Sequence, residues 1–231
     1  MKALARNRLV RIEPQAWAQI EARAWDAQAQ DILAHWRIND LPLVVCRQRA
    51  DSAPNQVCVG VPAPQQWSRR RLPLTMSLDQ ITDCTDFPTL VQVAQAERWS
   101  AAALDLASAL SQLGTQAHVY GSYGWQWLTG LGYWHDTSDL DLTVEVHSFE
   151  MASLVVERLA SSSLDCRIDG EIVFPQGHAI AWREFQQLIQ GKTTKVLVKD
   201  RHQLRLATLE EVQRLAHATP VTRTDAVLCW P

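Results

Sequence analysis

The sequence predicts an α+β protein in two parts, and three observations carry that prediction. Strand-like and helix-like segments mix without a strict β-α-β run, which favours α+β over a doubly wound sheet. The 231 residues amount to about one and a half domains of roughly 150. Periodicity breaks between residues 73 and 90, where Pro73, Pro88 and polar residues interrupt it, so the expected parts are a small α+β unit over 1–80 and a larger unit over 81–231.

Each element has a local reason. Residues 14–36 predict a helix: Pro14 suits a first turn, and Trp17, Ile20, Ala24, Ala27 and Ile32 recur at near-helical spacing. Leu43–Cys46 and Gln56–Val61 read as short strands around a turn-rich loop over 50–55, closed by Pro62 and Pro64. In the second unit, Trp99, Ala103, Leu106, Leu110 and Leu113 step at helical intervals until Gly114 ends the run. A strand over 117–120 and a helix over 123–131 follow. A strand over 139–146 is expected next, then a helix capped by Ser148 and a strand over 164–174. The chain closes with helices over 181–190 and 208–217 around a strand at 195–199.

Composition narrows the function classes. Apolar residues are 47% and charged residues 20%, which excludes a disordered chain. The formal net charge of −3 carries no global footprint for a nucleic acid polymer. No run of 18 apolar residues exists, so no membrane span is expected. The N-terminal segment has basic residues but no apolar core of a secretory signal. Cys46, Cys58, Cys84, Cys166 and Cys229 form no CxxC pair and read as reduced thiols of a cytoplasmic protein. The seven histidines show no metal-binding spacing.

The chemistry concentrates in one stretch. In Ser138-Asp139-Leu140-Asp141-Leu142, strand alternation sends both aspartates to one face, about 6.6–7 Å apart along the backbone. Neighbouring carboxylates repel, and such a pair is stable only if a cation neutralises it or water screens it. Oxygen ligands in this number suit Mg²⁺, which binds one or two carboxylates together with substrate phosphates. On the next strand, either Asp169 or Glu171 can supply a third acid. Three acids on two strands are what in-line phosphoryl or nucleotidyl transfer uses. Upstream, Gly121 allows close approach of backbone to a phosphate, the helix start after it offers free N–H groups, and Ser122 adds a hydroxyl. Ser138 either orients Asp139 or closes a turn. Trp125, Trp127 and Trp134 either stack a base or pack the helix.

Gly121-Ser122 with Asp139-Leu140-Asp141 resembles the nucleotidyltransferase superfamily, the fold of polymerase β-like enzymes. The intervening run, Tyr123-Gly124-Trp125-Gln126-Trp127-Leu128-Thr129-Gly130-Leu131-Gly132-Tyr133-Trp134, with Asp169-Gly170-Glu171-Ile172 and Ala181-Trp182-Arg183-Glu184, resembles the phosphoribosyl-dephospho-CoA transferases, the holo-acyl-carrier-protein synthases of malonate decarboxylase. The resemblance covers roughly residues 117–200. It implies a nucleotidyltransferase-like C-terminal domain and a triphosphoribosyl-dephospho-CoA donor. The acceptor it implies is a serine of the malonate decarboxylase acyl carrier subunit, with pyrophosphate leaving. Mapped onto this chain, Asp139 and Asp141 hold Mg²⁺, Asp169 is the third carboxylate, ligand or base, and Gly121 and Ser122 grip the donor phosphates. By charge and position, Arg183, Lys195 and Lys199 are candidates for neutralising phosphate. Arg69-Arg70-Arg71 is either a solvated loop or a docking patch for the acidic carrier or the donor. Two rivals stand beside this reading: a generic ATP-dependent nucleotidyltransferase, and a non-catalytic carrier-protein or nucleotide-binding module.

Overall fold

In the computed structural model, which describes residues 4–49, 53–96 and 101–217, each of two units is built around its own sheet. Trp99, Cys229 and loop residues 50–52 lie outside the described residues. The first unit holds residues 4–86 and 128–133, the second 87–127 and 134–217.

The first sheet is antiparallel and contains β1 (Leu9–Ile12), β2 (Leu43–Val45), β3 (Gln56–Pro62), β4 (Arg71–Ser77) and β5 (Ile81–Thr85), in the order β4-β3-β2-β1-β5. Two of its strands were expected; β1, β4 and β5 were not. In β4, Leu72, Leu74 and Met76 alternate inward, but Pro73 obscures the pattern. The strand tolerates a residue without an N–H because it lies at the sheet edge. The single helix expected over 14–36 is two, α1 (Pro14–Glu21) and α2 (Ala27–Ile38). Between them the Trp25 indole donates to the Ile20 carbonyl at 2.7 Å, and the Asp26 carboxylate accepts from Ala29 N at 2.9 Å. Asp26 is thus the exposed N-cap of a second helix. Trp17, Ile20, Ile32, Leu33 and Trp36 are buried from these helices.

The second unit opens with α3 (Leu90–Ala96) and α4 (Ala101–Gln112), then β6 (Ala117–Val119), α5 (Gly121–Thr129), β7 (Leu140–Glu145) and α6 (Phe149–Ala160). It continues through β8 (Ile168–Phe174), β9 (His178–Ala181), α7 (Trp182–Ile189), β10 (Val196–Lys199), β11 (Leu204–Ala207) and α8 (Leu209–Ala216). Among the described residues the sheet has six strands in the order β11-β10-β9-β8-β7-β6; β7 and β8 are parallel and every other pair is antiparallel. Strands β9 and β11 were not expected, being four residues each with no flanking signal stronger than a turn.

One core lies against this sheet. Leu140, Leu142 and Val144 of β7 join Ile168, Ile172 and Phe174 of β8 and residues of α3, α4, α6, α7 and α8, with Phe185 and Leu110 fully enclosed. Ser148 caps α6 by accepting from Met151 N at 3.1 Å. Because strand side chains alternate, the residues between these apolar positions emerge on the other face. Asp141, Thr143 and Glu145 of β7 and Asp169 of β8 lie there, half-buried.

A carboxylate face on strands β7 and β8

The parallel register of β7 and β8 sets Asp141 directly opposite Asp169 and Thr143 opposite Glu171. Asp139 precedes β7 by one residue, with the parity of Asp141. The two strands approach this closely because of Gly170, whose φ is +127°. A Cβ there would lie 1.9 Å from the Leu142 carbonyl oxygen, inside the backbone of the neighbouring strand. Its own N–H donates to Asp169 Oδ1 at 2.8 Å.

Gly121 brings a third segment against the same carboxylates. It has φ +61°, and a Cβ on it would lie 1.8 Å from Asp141 Oδ2. The Tyr120 N–H donates to the Asp141 carbonyl at 3.0 Å. The start of α5, with Ser122 half-buried in its first turn, is therefore packed against Asp141.

The electrostatics of the set are unbalanced. Burial, then the charges of Asp169, Asp139 and Glu171, push the Asp141 carboxyl up to about 6. The basic side chains pair with the flanking acids instead: Arg167 Nη1 is 3.5 Å from Asp139 Oδ2, and Lys199 Nζ donates to Glu171 Oε1 at 2.9 Å. Asp141 and Asp169, in the middle, have no ion-pair partner among the described residues. This separates the two candidates for third acid. Glu171 is buried and committed to Lys199, whereas Asp169 faces Asp141. A set of oxygen donors with uncompensated negative charge has the chemistry of a hard divalent-ion site. As the side chains stand, no three His, Cys, Asp or Glu among the described residues are gathered tightly enough to hold a metal ion.

The other predicted site residues have varied surroundings. Ser138 closes the turn before Asp139: its Oγ accepts from His135 N at 3.1 Å and its N–H donates to the His135 carbonyl at 2.8 Å. Arg183 lies over the Trp182 ring at 4.3 Å and donates to the Ile168 carbonyl at 2.9 Å, at the end of β8 that carries Asp169. Lys195 is exposed just before β10. In the first unit, Arg70 is held by both oxygens of Asp26, at 2.6 and 2.5 Å, and by Gln28 at 3.2 Å, while Arg69 and Arg71 are exposed. Trp125 is buried edge-on against Phe87, which makes it a packing residue, whereas Trp127 and Trp134 are exposed. Arg167 was not singled out in the sequence; its parity with Asp169 was visible, but the pairing with Asp139 depends on strand register.

The family model described as the phosphoribosyl-dephospho-CoA transferase MdcG C-terminal domain matches residues 88–210, and the corresponding N-terminal domain matches residues 5–87. This chain belongs to the phosphoribosyl-dephospho-CoA transferase family. A protein of that name from Xanthomonas euvesicatoria pv. vesicatoria is 36% identical over 198 residues, spanning 82% of this chain and 90% of the relative. Another from Xanthomonas axonopodis pv. citri is 35% identical over 202 residues, with the same coverage of 82% and 90%. One from Bradyrhizobium diazoefficiens is 33% identical over 207 residues, or 86% of this chain and 91% of the relative. No solved structure matches the chain. The family thus agrees with the resemblance carried by Gly121-Ser122, Asp139-Leu140-Asp141 and Asp169-Gly170-Glu171. No helix among the described residues is long and apolar enough to cross a membrane.

Proposed function

We propose that this chain moves a phosphoribosyl-dephospho-CoA group from its triphosphorylated precursor onto a serine of the malonate decarboxylase acyl carrier subunit, releasing pyrophosphate. The observation that supports the reading best is the Asp141–Asp169 pair, held in register by Gly170 and approached by Gly121. In this reading the second unit is nucleotidyltransferase-like and the enzyme works in the cytoplasm; none of the four described cysteines is in a disulfide.

Asp139 and Asp141, with Asp169, would hold Mg²⁺, which supplies positive charge to the donor's phosphate oxygens when bound. The serine hydroxyl oxygen attacks the phosphorus that carries the ribosyl group. A serine O–P bond forms as the P–O bond to pyrophosphate breaks, and Asp169 takes the hydroxyl proton. Gly121 lets the start of α5 come against the Asp141 carboxylate, so that the N–H groups and Ser122 hydroxyl there would donate to a phosphate chain held beside it. Arg183 and Lys195 add charge at the strand ends.

Intact-mass measurement of the apo carrier subunit tests this directly. The subunit is incubated with the full chain, Mg²⁺ and the triphosphorylated donor, with ATP alone in a parallel reaction. A mass gain on serine only with the CoA-derived donor is the expected result. A gain with ATP alone points to a general nucleotidyltransferase, and no gain with either overturns the proposal.

A further inference from the structure

We propose that Arg167 is an exchangeable cation of the carboxylate face. In the free protein its guanidinium occupies Asp139, and it is released to the donor's phosphates once Asp139 becomes a metal ligand. This rests on the reading of Asp139 and Asp141 as metal ligands.

The basic residues around this face are held very differently. Lys199 is tied at 2.9 Å to Glu171, which is 6% exposed. Arg183 is fixed by stacking over Trp182 and by its bond to the Ile168 carbonyl. Arg167 has the loosest partner: 3.5 Å to Asp139, with the two side chains 62% and 32% exposed. Such exposed pairs are weak and easily exchanged. Its backbone is not loose, because the Arg167 carbonyl accepts at 2.8 Å from the N–H of Leu140, the residue between Asp139 and Asp141. An anchored backbone with a weakly held guanidinium keeps the cation at the site while letting it turn. The planar guanidinium matches phosphate oxygens in two-point contact, which an ammonium does not. Its present partner would have to give it up when a divalent ion takes the Asp139 oxygens.

Calorimetric titrations of the full chain test this without turnover. Mn²⁺ is titrated into the native protein, Arg167→Ala, Arg167→Lys and Asp139→Ala. Tripolyphosphate is then titrated at saturating Mn²⁺ into each protein that binds the ion. Loss of the competing guanidinium should tighten Mn²⁺ binding by about threefold in Arg167→Ala, in line with an exposed ion pair. Tripolyphosphate binding should weaken by roughly tenfold, the scale of a lost charged hydrogen bond. Arg167→Lys should lie between for the phosphate probe. A surface ion pair with no role at the site would change the melting temperature and leave both titrations unmoved. Unchanged or weaker Mn²⁺ binding, or unchanged tripolyphosphate binding, in Arg167→Ala overturns the proposal for Arg167 alone, provided Asp139→Ala abolishes Mn²⁺ binding. Mn²⁺ binding that is absent from the native protein, or intact in Asp139→Ala, removes the metal-site reading and Arg167 with it.

Discussion

Asp141 shows most plainly how position changes chemistry. Its carboxyl is raised to about 6 from an ordinary 3.8, by burial first and by three nearby acids second. A folded-state value above the unfolded one means that the folded protein binds more protons between these values. Stability of the second unit, without divalent ion, should therefore rise as pH falls from 7 towards 4. Urea melts at several pH values check this, and Asp141→Asn should flatten the slope. The same residue carries the activity test. Asp139→Ala and Asp141→Ala should each lower transfer by at least about 100-fold, the upper range for losing a metal site's support, while far-ultraviolet circular dichroism stays native. Gly170→Ala makes a contrasting prediction. Its Cβ would meet the Leu142 carbonyl, a backbone atom that cannot turn aside, at a positive φ. The cost should exceed about 1 kcal/mol in a denaturant melt, and transfer should fall with it as the Asp141–Asp169 register opens.

At the scale of elements, caps and edges decide more than propensity. Ser148→Ala removes the bond to Met151 N that starts α6 and should destabilise the second unit by about 1 kcal/mol; a urea midpoint measures it. Asp26 both caps α2 and binds Arg70, which holds its carboxyl down at about 2. Reading 14–36 as one helix failed because apolar spacing persists across the break, while Trp25 and Asp26 satisfy the backbone at each side of it. Strand β4 was obscured by Pro73, which only an edge position accommodates. By contrast, the carboxylate strand β7 was legible because its alternation is clean, with Leu140, Leu142 and Val144 buried between half-buried neighbours.

For the whole molecule, the basic run in the first unit sets the prediction. If the acidic carrier docks there, charge reversal at Arg69 and Arg71 should weaken carrier binding at low salt and lose that effect at high salt, where screening shortens to a few ångströms. Titration of the carrier subunit at two ionic strengths measures this. Reversal at Arg70 should instead lower the melting temperature, because that side chain is spent on Asp26 and Gln28. Sequence alone was enough to identify the family and the mixture of helices and strands, and it put Asp139 and Asp141 on one face, since strand alternation is a local property; Gly121 was joined to them by the order of motifs and the family resemblance. What only the tertiary structure decided was the pairing between distant segments. The parallel register set Asp169 rather than Glu171 against Asp141, gave Glu171 to Lys199 and left Arg167 beside Asp139. Ion pairs of this kind depend on which strands are neighbours and where each side chain meets its partner, and neither is written in the spacing of residues along one strand.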